Sequence, residues 1–195
     1  MRRQLVPAIV SMVLFTVLLG IAYPLVITGI GQVAFRDKAN GSLVERGGKV
    51  VGSSMLAQPF TTERGTPIEK YFQERPSAAN YDPRSSTGSN LGPTNPTLLK
   101  ETRARAAAYR KLNGLADDVK IPVDAVTASG SGLDPDISVA NARLQAARVA
   151  EARGLTTKQV LELVDLHTDD RPLGIIGEQT VNVLDLNLAL DRLSK

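Results

Sequence analysis

The sequence contains no cysteine and a single histidine, His167. The lack of cysteine excludes disulfides, thiolate-bound metals, iron–sulfur clusters and cysteine nucleophiles. A lone histidine is a poor zinc signature, because zinc sites combine several nitrogen, sulfur or oxygen ligands. Aromatic residues make up only 4% of the chain, too few for the stacking platforms that bind single-stranded nucleic acids. These shortages leave few classes of chemistry open.

Charge is absent from a long N-terminal run, which extends from Gln4 to Phe35 and contains 32 residues. A helix needs about 20 apolar residues to cross the hydrocarbon core of a membrane. A cleaved signal has an apolar region of only about 7–15 residues and a small-x-small cleavage site, and no such site follows this run. The sequence therefore predicts a retained transmembrane helix over about residues 7–30, within an N-terminal region of residues 1–35.

The remaining chain, residues 36–195, is nearly neutral, because Arg2 and Arg3 supply two of the three net positive charges. It therefore lacks the basic stripe that nucleic-acid binding needs. Local positive charge does not set the orientation, since Arg36 and Lys38 balance the two N-terminal arginines. A very short tail stays inside easily and long domains are translocated largely regardless of charge. We therefore expect a single-pass protein of the cell membrane with a cytoplasmic N-terminus and residues 36–195 outside the cytoplasm.

Four residues at four-residue spacing are expected to share one face of the transmembrane helix: Thr16, Gly20, Pro24 and Thr28. Membrane helices pack closely along such stripes of small residues. The alternative is that glycine and proline are simply common in membrane helices.

The outer region is predicted to be an α+β domain, rich in helices, with a small sheet near its start. Two β-prone runs, 42–46 and 49–52, flank Gly47-Gly48 and indicate a hairpin. The short apolar piece 54–57 is a candidate continuation of this sheet. Four helices are expected afterwards, beginning near Asn95-Pro96, Ser138, the capping box Thr156-x-x-Gln159, and Asn182. Their buried stripes are expected to include Leu166 and Leu193 near the ends of the last two helices.

A polar segment, residues 73–97, separates the hairpin from the helices and contains four prolines. Its composition is typical of a linker, but loops of this length within a domain are either functional or disordered. Tyr81 and Leu91 are apolar residues that would hold such a loop in place, and its Asn and Ser side chains favour turns. We expect a docked loop.

No catalytic motif emerges from the sequence. A P-loop and the Gly-x-Gly-x-x-Gly pattern are both absent. His167 is interpreted as a helix C-terminal residue, and Asp134 as part of a turn before a helix. The alternative is a membrane-anchored enzyme or binding protein that uses His167, Asp169 and Asp134.

Four strings of residues occur in the same order as in one known family: 71–78 (Tyr-Phe-x-x-Arg-Pro-Ser-Ala), 89–96 (Ser-Asn-Leu-Gly-Pro-Thr-Asn-Pro), 126–134 (Val-Thr-Ala-Ser-Gly-Ser-Gly-Leu-Asp) and 181–191 (Val-Asn-Val-Leu-x-Leu-Asn-Leu-Ala-Leu-Asp). With them, essentially the whole chain resembles the C subunit of the Kdp bacterial potassium-transporting P-type ATPase.

The resemblance implies an accessory subunit of an ATP-driven potassium importer in the bacterial inner membrane. Its partners would be a channel-like potassium-binding subunit, a P-type ATPase subunit and a small peptide subunit. The family is described as an assembly factor and as a catalytic chaperone that raises the ATP affinity of the hydrolysing subunit. ATP is thus implied for the complex, and no cofactor or metal is expected in this chain itself.

The family strings also supply candidates for docking to the partner subunits. In the first two strings and the loop between them these are Arg75, Pro76, Ser77, Tyr81, Ser89, Asn90 and Asn95, and in the third they are Ser129, Ser131 and Asp134. Arg75 is expected to pair with a carboxylate on the channel-like subunit, because its planar guanidinium suits bidentate contacts.

Overall fold

The computed structural model describes residues 2–193 and begins with a long apolar helix. Helix α1 spans Arg2–Val17, a π-helical turn spans Leu18–Ala22, and helix α2 spans Tyr23–Ala34. Pro24 explains the π turn, because proline has no N–H and its ring clashes with the carbonyl group four residues earlier. The helix from Arg3 to Ala34 is long and apolar enough to cross a membrane, as the sequence predicts.

The chain divides into two compact units, Met1–Val51 and Gly52–Lys195. The first unit continues with helix α3 (Arg36–Ala39) and strand β1 (Leu43–Arg46), which pairs with β2 (Lys49–Ser53). This hairpin is confirmed, with positive φ angles of 59° and 74° at Gly47 and Gly48. Both angles are those of the favoured two-residue hairpin turn.

The predicted continuation of this sheet through residues 54–57 is wrong, because the chain turns there. The hydroxyl of Ser53 accepts the N–H of Met55 at 3.1 Å, and the Ser53 carbonyl accepts the N–H of Leu56 at 3.2 Å. The next N–H, of Ala57, donates to the Leu133 carbonyl at 2.9 Å instead of to a strand.

The four predicted helices are confirmed as α4 (Pro96–Asn113), α5 (Val139–Arg153), α6 (Thr157–Leu166) and α7 (Val183–Leu193). Local chemistry fixes their ends. The side chains of Asn95 and Ser138 accept N–H groups of the first turns of α4 and α5, and Gly114 and Gly154 end these helices in the left-handed conformation. The capping box of Thr156 and Gln159 is formed in full, and Asn182 accepts the Asp185 N–H at 3.1 Å.

A second, three-stranded antiparallel sheet was not predicted from the sequence. It consists of β3 (Asp136–Ser138), β4 (Thr168–Asp169) and β5 (Thr180–Asn182), in the order β3-β5-β4. Ile137 and Thr168 each lie opposite Val181 of the central strand. The strands are too short to show an alternation of apolar and polar residues.

The core of the second unit lies between the three-stranded sheet and helices α5, α6 and α7. Alanines on α5 permit close helix packing, and the core is completed by larger residues: Phe72, Ile137, Val149, Val160, Val164, Val181, Val183, Leu186 and Leu190. Two predicted members of the buried stripes are wrong. Leu166 is 79% exposed and Leu193 is 53% exposed, because each lies in the last turn of its helix, beyond the packed surface.

Candidate functional site

The four residues predicted to face a membrane partner lie along the apolar helix, with the π turn between Thr16 and Pro24. A π turn has more residues per turn than an α-helix. Residues four positions apart therefore stay closer to one face of the helix where the π turn lies. Gly20 leaves this surface open, since a Cβ atom at Gly20 would have only the Thr16 Cγ2 atom nearby, at 3.9 Å.

In the second unit, two of the family strings come into direct contact. An Nη1 hydrogen of Arg75 donates to Asp134 Oδ2 at 2.7 Å, and the N–H of Ser129 donates to the Pro76 carbonyl at 3.0 Å. The carboxylate expected from a partner subunit is therefore supplied to Arg75 by the same chain. Arg75 Nε is buried and has no hydrogen-bond partner among the described residues.

Ser77 makes three hydrogen bonds, one of which joins the same two strings. Its hydroxyl donates to the Gly132 carbonyl at 2.6 Å and accepts the N–H groups of Ala79 at 3.0 Å and Tyr81 at 3.1 Å. The phenol of Tyr81 in turn donates to the Arg75 carbonyl at 2.8 Å. Burial raises the pKa of Tyr81 to about 12, so the phenol stays protonated and keeps this bond. The loop is thus tied to the domain, as expected of a docked segment.

The next part of the polar segment lies against residues 130–132. Ser86 donates its hydroxyl hydrogen to the Ser131 carbonyl at 3.1 Å. Gly132 has a φ of 71°, and a Cβ atom there would be 2.6 Å from the carbonyl oxygen of Thr87. A Cβ atom at Gly88 would similarly be 2.9 Å from the Gly130 carbonyl oxygen. Gly132 of the family string and Gly88 of the polar segment therefore permit the two backbones to approach each other.

The remaining candidates in the polar segment have different environments. Ser89 and Asn90 are exposed, and Asn90 has a φ of 53°. Asn95 caps helix α4 by accepting the Thr97 N–H at 2.9 Å. Ser89 and Asn90 are therefore available to a partner, whereas Asn95 already has a structural role.

Two side-chain amides that sequence reasoning missed hold the start of this segment. Asn187 on α7 accepts the Phe72 N–H at 2.8 Å and donates to the Phe72 carbonyl at 3.0 Å. Gln145 on α5 accepts the Gln73 N–H at 2.8 Å and donates to the Gln73 carbonyl at 3.1 Å. The two amides replace the neighbouring strand that an extended backbone normally needs. A polar residue within the apolar stripe of α7 is the signal that would have revealed Asn187.

Arg148 extends this polar network below the segment. Its guanidinium donates to Asn113 Oδ1 at 2.9 Å, to Gln145 Oε1 at 2.8 Å and to the Tyr71 carbonyl at 2.9 Å, and also to the Glu69 carbonyl. Burial lowers the pKa of Arg148 to about 10, so the side chain stays charged at neutral pH. The segment from residue 69 to residue 75 is therefore fixed mainly by polar side chains.

Glu74 is the exception in this network. Its side chain is buried, and neither carboxyl oxygen has a hydrogen-bond partner among the described residues. Burial raises the pKa of Glu74 well above its usual value, and the negative charges of Asp134 and Asp136 act in the same direction. The nearby backbone amide of Gln58 favours the ionised carboxyl and lowers this pKa, but it does not reach hydrogen-bond geometry and its effect is smaller than that of burial. Burying a carboxyl group without partners costs free energy in its ionised form.

The three residues proposed for an alternative enzymatic role, His167, Asp134 and Asp169, lie in ordinary structural positions. His167 ends helix α6, and its Nδ1 lies 2.9 Å from the Leu163 carbonyl oxygen of the same helix. Asp134 pairs with Arg75 and accepts the Asp136 N–H at 3.1 Å in a turn. Asp169 is exposed on β4. Among residues 2–193, no group of three or more His, Cys, Asp or Glu side chains is placed to hold a metal ion.

A family model described as "K+-transporting ATPase, c chain" (KdpC) matches residues 5–192 of this chain. The match therefore includes the apolar helix and almost all of the second unit.

Curated relatives from three bacterial genera are all named potassium-transporting ATPase KdpC subunit. The protein from Mycobacterium tuberculosis strain H37Rv is 57% identical over 195 residues, covering 99% of this chain and 100% of the relative. The Caulobacter vibrioides NA1000 protein is 54% identical, covering 98% and 94%. The Rhodospirillum rubrum protein is 52% identical, covering 98% and 96%.

Proposed function

The chain belongs to the KdpC family, the c chain of K+-transporting ATPases, and from this premise we propose that it is a non-catalytic subunit that stabilises assembly of the complex. Its partners in the proposal are the channel-like potassium-binding subunit, the P-type ATPase subunit and the small peptide subunit. The observation that carries the proposal is the combination of one apolar anchor with a folded unit whose family strings are used mainly for internal hydrogen bonds.

The first proposed contact lies in the membrane. None of the described residues of the apolar helix is buried within this chain, and its surface around Gly20 is open. Helices in lipid associate through close packing of small residues, since burial of apolar surface gives no net gain there. We therefore assign the face of Thr16, Gly20, Pro24 and Thr28 to a partner helix.

The second proposed contact is the exposed part of the polar segment, residues 84–92. Its backbone lies against residues 130–132, while Ser89 and Asn90 remain exposed. A loop that is already ordered loses little further entropy on binding, which favours association. Its fixed backbone and amide groups suit a polar protein surface.

In this proposal ATP binds to the P-type ATPase subunit and not to this chain. With the N-terminus in the cytoplasm, residues 36–195 lie outside, and about 30 Å of hydrocarbon separates them from cytoplasmic ATP. Any increase in the ATP affinity of the hydrolysing subunit would then pass through the membrane helices.

Copurification tests the assembly role. Gly20→Leu is expected to reduce the amount of the other subunits retained by the tagged chain in detergent by at least fivefold, because leucine blocks close helix approach. Gly29→Leu is the matched control: it lies in the same helix, and a Cβ atom there has nothing within 4 Å. Equal retention by the two variants would exclude the proposed face.

Replacing residues 84–92 with a short Gly-Ser linker tests the outer contact separately. We expect lower retention of the channel-like subunit with an unchanged circular dichroism spectrum. Retention of the channel-like subunit at the wild-type level would mean that residues 84–92 are only a linker.

Orientation is tested with Lys158→Cys, since the chain has no native thiol. The Lys158 side chain is 86% exposed on α6, so an impermeant maleimide reaches it wherever that face meets the medium. Labelling in intact spheroplasts is expected. Labelling only after lysis would place the second unit in the cytoplasm and restore direct contact with ATP.

A further inference from the structure

An apolar loop connects strands β4 and β5 of the three-stranded sheet. We call residues 171–177, Arg-Pro-Leu-Gly-Ile-Ile-Gly, the tip loop. Its three large aliphatic side chains lie in water: Leu173 is 87% exposed, Ile175 is 81% exposed and Ile176 is 56% exposed. Isolated exposed aliphatic residues are ordinary, but three within four positions form a patch of the kind that marks an interaction site.

The tip loop is ordered by its base and by its own turns. Thr168 and Asp169 pair with Val181 and Thr180 in the sheet. Next to the sheet, two side-chain hydrogen bonds connect the two ends of the loop: Gln179 donates to Asp170 at 2.8 Å, and Arg171 donates to Glu178 at 2.6 Å. Within the loop, the N–H of Gly174 donates to the Arg171 carbonyl at 2.8 Å, and that of Ile176 to the Pro172 carbonyl at 3.1 Å. An ordered loop presents its side chains to a partner with little further loss of entropy.

The backbone conformation of Leu173 also indicates a binding role for the tip loop. Its φ is 56°, in the left-handed region that residues other than glycine, asparagine and aspartate rarely adopt. Because the side chain is 87% exposed, packing within the second unit does not compensate this strain. Strained backbone of this kind concentrates at binding sites.

The charges around the tip loop indicate which partner it fits. Asp169, Asp170 and Glu178 are acidic, and Arg171, paired with Glu178, is the only basic residue from 169 to 179. This acidic rim opposes docking to anionic lipid headgroups. It also opposes symmetric association of two copies, which would bring like charges together. An apolar pocket bordered by basic side chains on a different protein complements both features.

We propose that the tip loop inserts Leu173, Ile175 and Ile176 into an apolar pocket with a basic rim on another subunit of the transport complex. The inference rests on the proposed assembly function and adds a third contact to the membrane face and residues 84–92. The aliphatic side chains supply affinity by leaving water, and the acidic rim supplies orientation and specificity.

The test uses the full chain coexpressed with the other subunits. The triple variant Leu173→Ser, Ile175→Ser, Ile176→Ser is expected to retain at most one tenth of the partner subunits after detergent washing. Val123→Ser is the matched control, because Val123 is also an aliphatic residue, 71% exposed, in the same unit. Wild-type retention by the triple variant overturns the inference. If the wild-type chain itself retains no partner, the assembly function fails instead.

The occupant is identified by a photoreactive p-benzoylphenylalanine at position 175. A covalent adduct with another protein subunit, reduced at least fivefold when Asp169→Lys places a positive charge on the rim, supports the inference. Adducts with lipid alone, or with a second copy of this chain, overturn it. The same photoreactive residue at position 123 should give no adduct with that subunit, and an equal yield there would also overturn the assignment.

Discussion

The start of the polar segment and the tip loop are both irregular, but their environments are the reverse of what hydropathy indicates. At its start, the polar segment contains Glu74 and Arg75, and these side chains are buried or half-buried. The tip loop contains Leu173, Ile175 and Ile176, and all three are exposed. In these two segments, burial therefore does not follow the polarity of single residues.

Backbone hydrogen bonds hold the start of the polar segment in the domain, although the Glu74 carboxyl itself has no hydrogen-bond partner among the described residues. The extended backbone at Phe72 and Gln73 is accessible to the amides of Asn187 and Gln145, so its polar groups are satisfied without water. The tip loop has its own turn bonds but no apolar surface of its own chain around its side chains. We attribute the first burial to the fold, and the second exposure agrees with the partner contact proposed for the tip loop.

The largest expected effect on stability comes from Asn187→Ala. This change leaves the buried N–H and carbonyl of Phe72 without partners, and each unsatisfied group costs about 1–3 kcal/mol. We expect the free energy of unfolding to fall by about 4 kcal/mol, measured by urea titration of the full chain in mild detergent with circular dichroism. Arg192→Ala, at an exposed position of the same helix, should change it by less than about 0.5 kcal/mol. Similar values for both variants would show that the amide does not hold the segment.

Next in size is Gly132→Ala. The Cβ atom would lie 2.6 Å from the Thr87 carbonyl oxygen and 2.9 Å from the Ala79 Cβ, at a φ of 71°. Overpacking and the left-handed backbone together should cost about 3 kcal/mol. Gly130→Ala is the matched control, since nothing lies within 4 Å of a Cβ there, and it should be neutral or slightly stabilising. Equal thermal midpoints for the two variants would contradict close contact between the backbones.

Residues with local signals account for what the sequence predicted. Asn95, Ser138, Thr156 and Asn182 cap helices whose starts could be read directly, because capping depends on neighbours within three positions. The uncharged run similarly predicted the apolar helix, although the π turn next to Pro24 was missed.

The unpredicted features depend on contacts distant in sequence. Strands of two or three residues show no periodicity, so the three-stranded sheet exists only through its long-range pairing. Two side-chain contacts were missed for the same reason: Arg75, a candidate docking residue, meets Asp134 across 59 positions, and the Phe72 backbone meets Asn187 across 115. The residue type of Arg75 indicated a polar contact, but not that the contact lies within the chain.

Glu74→Gln is expected to change the pH dependence of stability. In the unfolded chain a glutamate titrates near pH 4.3, whereas burial raises the pKa of Glu74 in the folded domain well above this value. Between the two pKa values the unfolded state releases a proton that the folded state keeps, so stability falls as pH rises. Each unit between them corresponds to about 1.4 kcal/mol.

The glutamine variant has no proton to lose and should be more stable than wild type at about pH 8, with the difference disappearing below about pH 4. Thermal unfolding of both chains across this range measures the effect. Glu63→Gln, at an exposed position, is the control and should follow the wild-type curve. Parallel curves for wild type and Glu74→Gln would mean that the Glu74 carboxyl is hydrated in solution.

The smallest expected effect on stability comes from Ile175→Ser. This variant distinguishes most clearly between the role of the tip loop and that of the polar segment. Because the Ile175 side chain is 81% exposed, its replacement should change the free energy of unfolding by less than about 0.5 kcal/mol. The same substitution should weaken retention of partner subunits, since the isoleucine leaves water only when a partner covers it. A loss of about 2 kcal/mol in the isolated chain would instead mean that the tip loop packs against its own domain in solution. Stability and assembly are thus expected to depend on different residues: changes at Asn187 or Gly132 should act on the folded domain itself, whereas a change at Ile175 should act only when the proposed complex forms.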